Sequence, residues 1–277
     1  GYEEWGAFLR GEYFIDEQSS LVLGYDHFDR DDLNRPHKTI YANSFKGTTI
    51  GGDGKRNTDF DRRTAFLNYS FRDGEGMIQE ADFGVSMQYM AENFVRYRAN
   101  GNLRQDKDWQ DKTYGIYSRL VSDTEIGKLS YGFDYYYDDI NSQGWDDQNG
   151  RLVQGKVADD ANYQQLGLYL QNDMALTDCL KLTLGTRYSY VKLNAKKVKT
   201  VGSLANNWSA WTGNAHLQYS FDKKAHVYAG VSQGFRAPNI SDTTRDDEFA
   251  TSGNEEPTAN LKPEHYSTFE TGLRVHE

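Results

Sequence analysis

Residues 211–232 constrain the fold more than any other stretch. Every second residue from Trp211 gives Trp211, Gly213, Ala215, Leu217, Tyr219 and Phe221, and the residues between are Thr212, Asn214, His216, Gln218 and Ser220. After a polar turn at Asp222, Lys223 and Lys224 the alternation resumes, with Ala225, Val227, Ala229 and Val231 set against His226, Tyr228, Gly230 and Ser232. A repeat of two residues is that of a β-strand, and a strand with one wholly apolar face must press that face against protein or lipid.

Composition narrows the choice. No run of about 18 apolar residues occurs, so no transmembrane helix is expected. The chain has 277 residues, 20 tyrosines, four prolines and a formal charge of -10. Its acidic balance offers no basic stripe to neutralise phosphates, which argues against nucleic acid as a partner. Cys179 is the single cysteine, so no internal disulfide can form. The chain opens inside a strand pattern at Gly1, with no signal peptide, and reads as mature or cut from something longer.

Taken in order, the alternation predicts eleven strands. The first covers 5–15, with Trp5, Ala7, Leu9, Gly11, Tyr13 and Ile15 on one side, and returns through a turn at 16–19. The second carries Leu21, Leu23 and Tyr25, and a polar segment at 30–59 is read as a long loop. Strands at 60–72 and about 83–89 are joined by a turn at 73–76. Loops are expected again at 100–110, 139–160, 194–207 and 233–263. Strands fill the intervals, ending with 266–275. Short turns on one rim and long loops on the other point to an all-β fold: an antiparallel transmembrane β-barrel with a polar interior. Candidate strands of 9 to 11 residues or more are long enough to cross lipid. Tyr135, Tyr137, Tyr188 and Tyr190 are placed for an interfacial aromatic girdle. A water-soluble barrel or sandwich is the competing reading. The apolar rows of the strands at 180–190, 211–221 and 225–231 hold no formal charge, whereas Lys181, Arg187 and His216 stand opposite. On an outer surface a charge at mid-membrane costs about 2–4 kcal/mol, which explains that exclusion. Eleven strands cannot close a bacterial barrel that needs an even number, so residues 1–277 are expected to be part of a larger barrel domain.

The last loop adds motifs. Gly234-Phe235-Arg236-Ala237-Pro238, then Pro257, Asn260-Leu261-Lys262-Pro263-Glu264 and Phe269-Glu270-Thr271-Gly272-Leu273-Arg274, resemble the TonB-dependent outer-membrane receptors. The motifs cover about forty residues, and the rhythm of turns and loops extends the likeness over the chain. The resemblance implies roughly the middle half of a twenty-two-stranded barrel in the bacterial outer membrane. The plug domain, the segment that contacts TonB and the C-terminal strands are not in this sequence. Haem receptors are the subgroup the Phe-Arg-Ala-Pro box most suggests, but Thr258-Ala259-Asn260-Leu261 stands in place of their second box and no histidine lies between 233 and 264.

The implied function is active import of a scarce nutrient, an iron chelate, haem, cobalamin or a saccharide, with outer-membrane lipid and the TonB complex as partners. A passive porin and a barrel enzyme are the alternatives. No spacing singles out a catalytic pair, so no enzyme, cofactor or resident metal is expected. Phe235, Arg236 and Pro238 of the box, His37 in an external loop and Tyr228 on the lumen side are the candidate ligand-binding residues. Tyr136 and Tyr169 are also expected to face the lumen. His216 and His226 could meet a ligand or metal, though hydrogen bonds to protein or water are favoured. Acids Asp242, Asp246, Asp247, Glu248, Glu255 and Glu256 could gather around Ca²⁺, with a solvated acidic loop the favoured reading.

Overall fold

A computed structural model of the chain describes residues 1–45, 49–72, 76–221, 225–245 and 256–275. The turn residues 73–75 and 222–224 and the loop acids Asp246, Asp247, Glu248 and Glu255 lie outside these. The strands in chain order are β1 (Glu3–Phe14), β2 (Ser19–Asn34), β3 (Asp53–Phe71), β4 (Glu80–Arg98), β5 (Leu103–Thr124) and β6 (Gly127–Asn141). They continue with β7 (Gly144–Asp146), β8 (Gly150–Arg151), β9 (Asp159–Ala175), β10 (Leu180–Val198), β11 (Gly202–Ser220), β12 (Ala225–Arg236) and β13 (Glu264–Val275). One five-residue helix, α1 (Ile240–Thr244), precedes β13. Eleven strands form a single antiparallel sheet in the order β1-β2-β3-β4-β5-β6-β9-β10-β11-β12-β13, and β7 and β8 make a small hairpin on β5. Among the described residues no helix is long and apolar enough to cross a membrane.

Register shows which face is which. Leu23 pairs with Leu67, Leu67 with Val85, Val85 with Ile116, Ile116 with Tyr135, Tyr135 with Leu166 and Leu166 with Tyr190. Directly opposed residues share a face, so this is one continuous apolar row around seven strands. Much of this row is left uncovered by the sheet: Val85 is 50% exposed and Leu168, on the same face, 47%. Rows of bare Leu, Ile and Val carry no stability in water, and the face is complete only against hydrocarbon. His27 pairs with Arg63, Arg63 with Tyr89 and Tyr89 with Lys112, which places the first charged outward row just above Tyr25 and Tyr114. That change from apolar to charged marks the outer edge of the spanning zone. Tyr188 and Trp211 sit side by side on the outward face, ring centroids 5.1 Å apart and tilted by 45°.

The inward face is polar and cross-linked. Arg187 donates to both carboxylate oxygens of Asp134, at 2.7 and 2.8 Å, by lying across Gly167. A Cβ on Gly167 would sit 1.8 Å from the guanidinium, so any larger residue there would push Arg187 aside. Tyr136 and Tyr169 follow the same rule, their rings covering Gly115 and Gly132, and the Tyr169 hydroxyl donates to the Ser118 carbonyl at 3.1 Å. His216 does not meet His226; it crosses Gly230 to reach Glu270 at 3.1 Å.

Two of the long loops of the sequence reading are largely strand. Segments 100–110 and 194–207 form the tops of two hairpins, turning only at 99–102 and 199–201. The strands reach up to 22 residues, about twice what lipid needs, and the excess projects above the charged outward row. In water both faces of such an extension tolerate polar residues, so the apolar-polar contrast that reveals a spanning strand is lost. The turns require a left-handed backbone, at Gly101 (φ 85°), and at Thr200 (φ 68°) with Gly202 (φ 82°). The connections at 35–52, 142–158 and 237–263 remain long.

Candidate functional site

The inner side of these extensions is packed. Ile140, Val157, Ala158, Ala161, Tyr163 and Leu193 belong to a buried apolar cluster on the lumen face of β6, β9 and β10, with Phe235 and Ile240 packed against it. The 237–263 connection is stitched onto that wall. Pro238 O accepts from the Tyr163 hydroxyl at 3.2 Å, Thr244 Oγ1 from the Ala158 amide at 3.0 Å, and Thr244 O from Gln154 Nε2 at 2.8 Å. Asn206 and Trp208 donate to the carbonyls of Ala259 and Leu261 at 2.6 and 3.1 Å.

The Phe-Arg-Ala-Pro box sets the start of this connection. Asn239 caps α1 by accepting from the Asp242 amide at 2.8 Å, and Asp242 returns the bond to the Asn239 amide at 3.0 Å. Arg236 donates to Asp242 at 2.6 Å and to Glu264 at 2.7 Å, tying the end of β12 to the helix and to the first residue of β13. The box therefore positions α1, with Phe235 and the Pro238 carbonyl anchored in the wall.

Beneath α1 lies a cavity of about 470 Å³. Its walls are the inner faces of β3 to β6, the segment after β2, the segment before β9, and α1 with Arg245. Among the described residues six basic side chains line it, Arg35, Arg56, Arg96, Lys107, Lys156 and Arg245, against two acids, Glu92 and Asp111. In a chain of formal charge -10 this concentration of cations is a local reversal of sign. Behind the wall, fully buried Asp53 receives Arg96 at 2.8 Å and Arg104 at 2.6 Å, with Arg56 at 3.7 Å. One carboxylate thus faces three guanidiniums. Lys156 pairs with Glu92.

Two titrating groups register the field. Burial lowers the pKa of His37, and Arg56, Arg35, Lys38 and Arg96 lower it further, so the imidazole is neutral at pH 7. Burial also lowers Lys156; Glu92 opposes this while Arg35 and Arg245 add to it. Asp111 behaves in the opposite sense: burial, then Asp138 and Asp139, push its carboxyl up to about 7. Lys112, beside it in sequence and pointing outward, places Asp111 above the spanning zone.

Of the residues singled out in sequence, His37 lines the cavity, and Arg236, Phe235 and Pro238 build the helix that roofs it. Tyr228 lies near the other end of β12, its ring across Gly272, away from the cavity. The cationic wall escaped sequence reasoning. Its signal was nonetheless present: Glu92, Phe94 and Arg96 continue the two-residue repeat beyond the strand as read, and Gln105, Lys107 and Trp109 carry it through 100–110, which read as loop.

An outer-membrane barrel with a chamber at the rim of its longer connections is the class that fold and site define. The chain matches the TonB-dependent receptor-like β-barrel family over residues 4–277 and belongs to it. The haem transporter BhuA of Brucella abortus is 23% identical over 185 residues, 66% of this chain and 26% of its own length. The Serratia marcescens haemophore receptor HasR, solved with its haemophore HasA and haem, superposes with a TM-score of 0.76 at 16% identity, over all of this chain and 42% of its own. The copper transporter OprC gives 0.75 at 14% identity, over all of this chain and 43% of its own. The chain thus spans about a quarter of the curated relatives and less than half of these structures. Members of the family are bacterial outer-membrane receptors and transporters rather than enzymes.

Proposed function

We propose that this chain is the cargo-binding portion of an outer-membrane receptor that captures an iron-bearing small molecule from outside and imports it with energy delivered through TonB. Its eleven main strands form about half of a twenty-two-stranded barrel. The free edges β1 and β13 pair with further strands, since unpaired backbone in lipid costs several kcal/mol per group. A plug carried elsewhere in the protein contacts TonB. The observation that carries this reading is the roofed chamber under α1, opening to the lumen at the rim of the longer connections, in a chain of this family. The copper and haem named for two structural relatives mean that fold alone does not choose the cargo. The haem named for BhuA and HasR and the match to this family favour an iron-containing cargo.

The test is uptake of radioactive iron by cells that lack their own iron receptors and express the full-length receptor containing this chain. Uptake that disappears when TonB is deleted supports the reading. Uptake that persists without TonB would make the protein a passive channel.

A further inference from the structure

We propose that His27, Asp29 and Asp61 form a binding site for one Zn²⁺ ion on the outer wall of the barrel, away from the chamber under α1. His27 and Asp29 are alternate residues of β2, and Asp61 of β3 pairs directly with Asp29. All three therefore stand on the outward face, His27 in the first charged row above the lipid and the two acids one step higher. One ligand atom from each lies within 4.8 Å of the other two. No linear spacing announces a metal, because the third ligand comes from the neighbouring strand.

Two features of these side chains point to a cation. Like charges directly opposite each other on adjacent strands are destabilising, and Asp29 and Asp61 are such a pair. Arg63 supplies one positive charge, and it binds Asp61, through Nη2 at 2.8 Å and Nε at 3.2 Å. The second feature is His27 itself. Its Nε2 is shielded from solvent and, among the described residues, makes no hydrogen bond, although Asp61 Oδ1 is 3.2 Å away. A buried polar atom left without a partner is costly, and a bond to a metal ion satisfies it.

The surroundings hold the ligands in place. Trp5, directly across from Asp29 on β1, packs edge-on against the imidazole, with ring centroids 4.4 Å apart and planes inclined at 68°. Arg63 fixes the Asp61 carboxylate by the two bonds already described, as hydrogen bonds to a ligating carboxylate do in metal sites. One imidazole nitrogen with two carboxylate oxygens suits a borderline ion such as Zn²⁺, whereas Ca²⁺ and Mg²⁺ take oxygen ligands. Bound there, the ion ties β2 to β3 where the two strands leave the lipid.

The test is calorimetric titration of the full-length receptor, purified in detergent without a histidine tag, with zinc chloride in the presence of 1 mM calcium chloride. His27→Gln and Asp29→Asn should each weaken one zinc site at least tenfold. Glu3→Gln, on the same outward face opposite Asp31, should leave that site unchanged. Heat-modifiable electrophoretic mobility shows that each barrel is folded, and if one of the two ligand variants does not fold the other decides. With Cu²⁺ in place of Zn²⁺, pulsed electron paramagnetic resonance should show an imidazole nitrogen coupling that His27→Gln removes. A zinc titration unmoved by the ligand substitutions, a site lost equally in Glu3→Gln, or zinc binding abolished by the calcium would mean a solvated acidic surface and overturn the proposal. A copper spectrum unchanged by His27→Gln would overturn it as well.

Discussion

Replacing Val85 by arginine puts a charge at the centre of the outward apolar row. Val85 is half exposed and lies between Leu67 of β3 and Ile116 of β5, with Phe83 and Met87 next on the same face of its own strand. No carboxylate in that row can answer the guanidinium. A charge at the midplane of a barrel's lipid face costs about 2–4 kcal/mol, which is about a 30- to 700-fold change in the folding equilibrium. Gln88→Arg is the matched control. Gln88 points inward and donates to Thr64 Oγ1 at 3.1 Å, so an arginine there stays in the polar lumen. The assay is reversible folding of the full-length receptor into lipid vesicles across a urea series, followed by heat-modifiable mobility. Val85→Arg should shift the midpoint strongly towards lower urea and Gln88→Arg only slightly. Equal shifts would refute the assignment of these faces.

Other outcomes follow from the site. Arg236→Ala loses two half-exposed ion pairs, each worth about 0.2–1 kcal/mol, and should weaken cargo binding several-fold while the barrel still inserts, as read by titration against an insertion assay. Asn239→Ala removes the α1 cap, a loss of about 1 kcal/mol, and should speed amide hydrogen exchange at Asp242 and Thr243 without affecting amides of β10. The Asp111 carboxyl is raised to about 7 in the folded state against about 3.9 unfolded, so the native protein holds the extra proton between those values and stability falls as pH rises from about 4 to 7. Asp111→Asn should flatten that slope in pH-dependent urea unfolding, and an unchanged slope would place its origin elsewhere. Gly167→Ala should displace Arg187 from Asp134 and lower thermal stability more than Gly11→Ala, where a new Cβ meets nothing within 4 Å.

The spanning zone was legible because lipid imposes a strict alternation. Leu166, Leu168 and Leu170 face outward and Gln165, Gly167 and Gln171 inward, and the sheet order repeats the order of the eleven predicted strands. Above the charged outward row that constraint vanishes. The continuation of β4 into β5 mixes polar residues into both faces, and that of β10 into β11 turns its apolar residues Leu193, Ala195 and Leu204 inward, the reverse of the spanning zone, so both read as loops. The box residues Phe235, Arg236 and Pro238 could be found as a motif, but their contact with α1 depends on Asp242, Glu264 and Tyr163, which lie 6, 28 and 75 residues from their partners. The cationic chamber was least legible. Arg35, Arg56, Arg96, Lys107, Lys156 and Arg245 come from six separate segments, and no local spacing announces their convergence. The chain's overall charge of -10 points away from it.

Solvent accessibility on β9 tests the sidedness of the sheet most directly. With Cys179 replaced by serine, nitroxide labels at Leu168 and at Gln171 in lipid vesicles should divide cleanly. The first should be relaxed by oxygen and shielded from a water-soluble nickel chelate, and the second should show the reverse. Equal access of the nickel chelate to both positions would contradict a lipid-facing row, and with it the placement of the chamber inside an outer-membrane barrel.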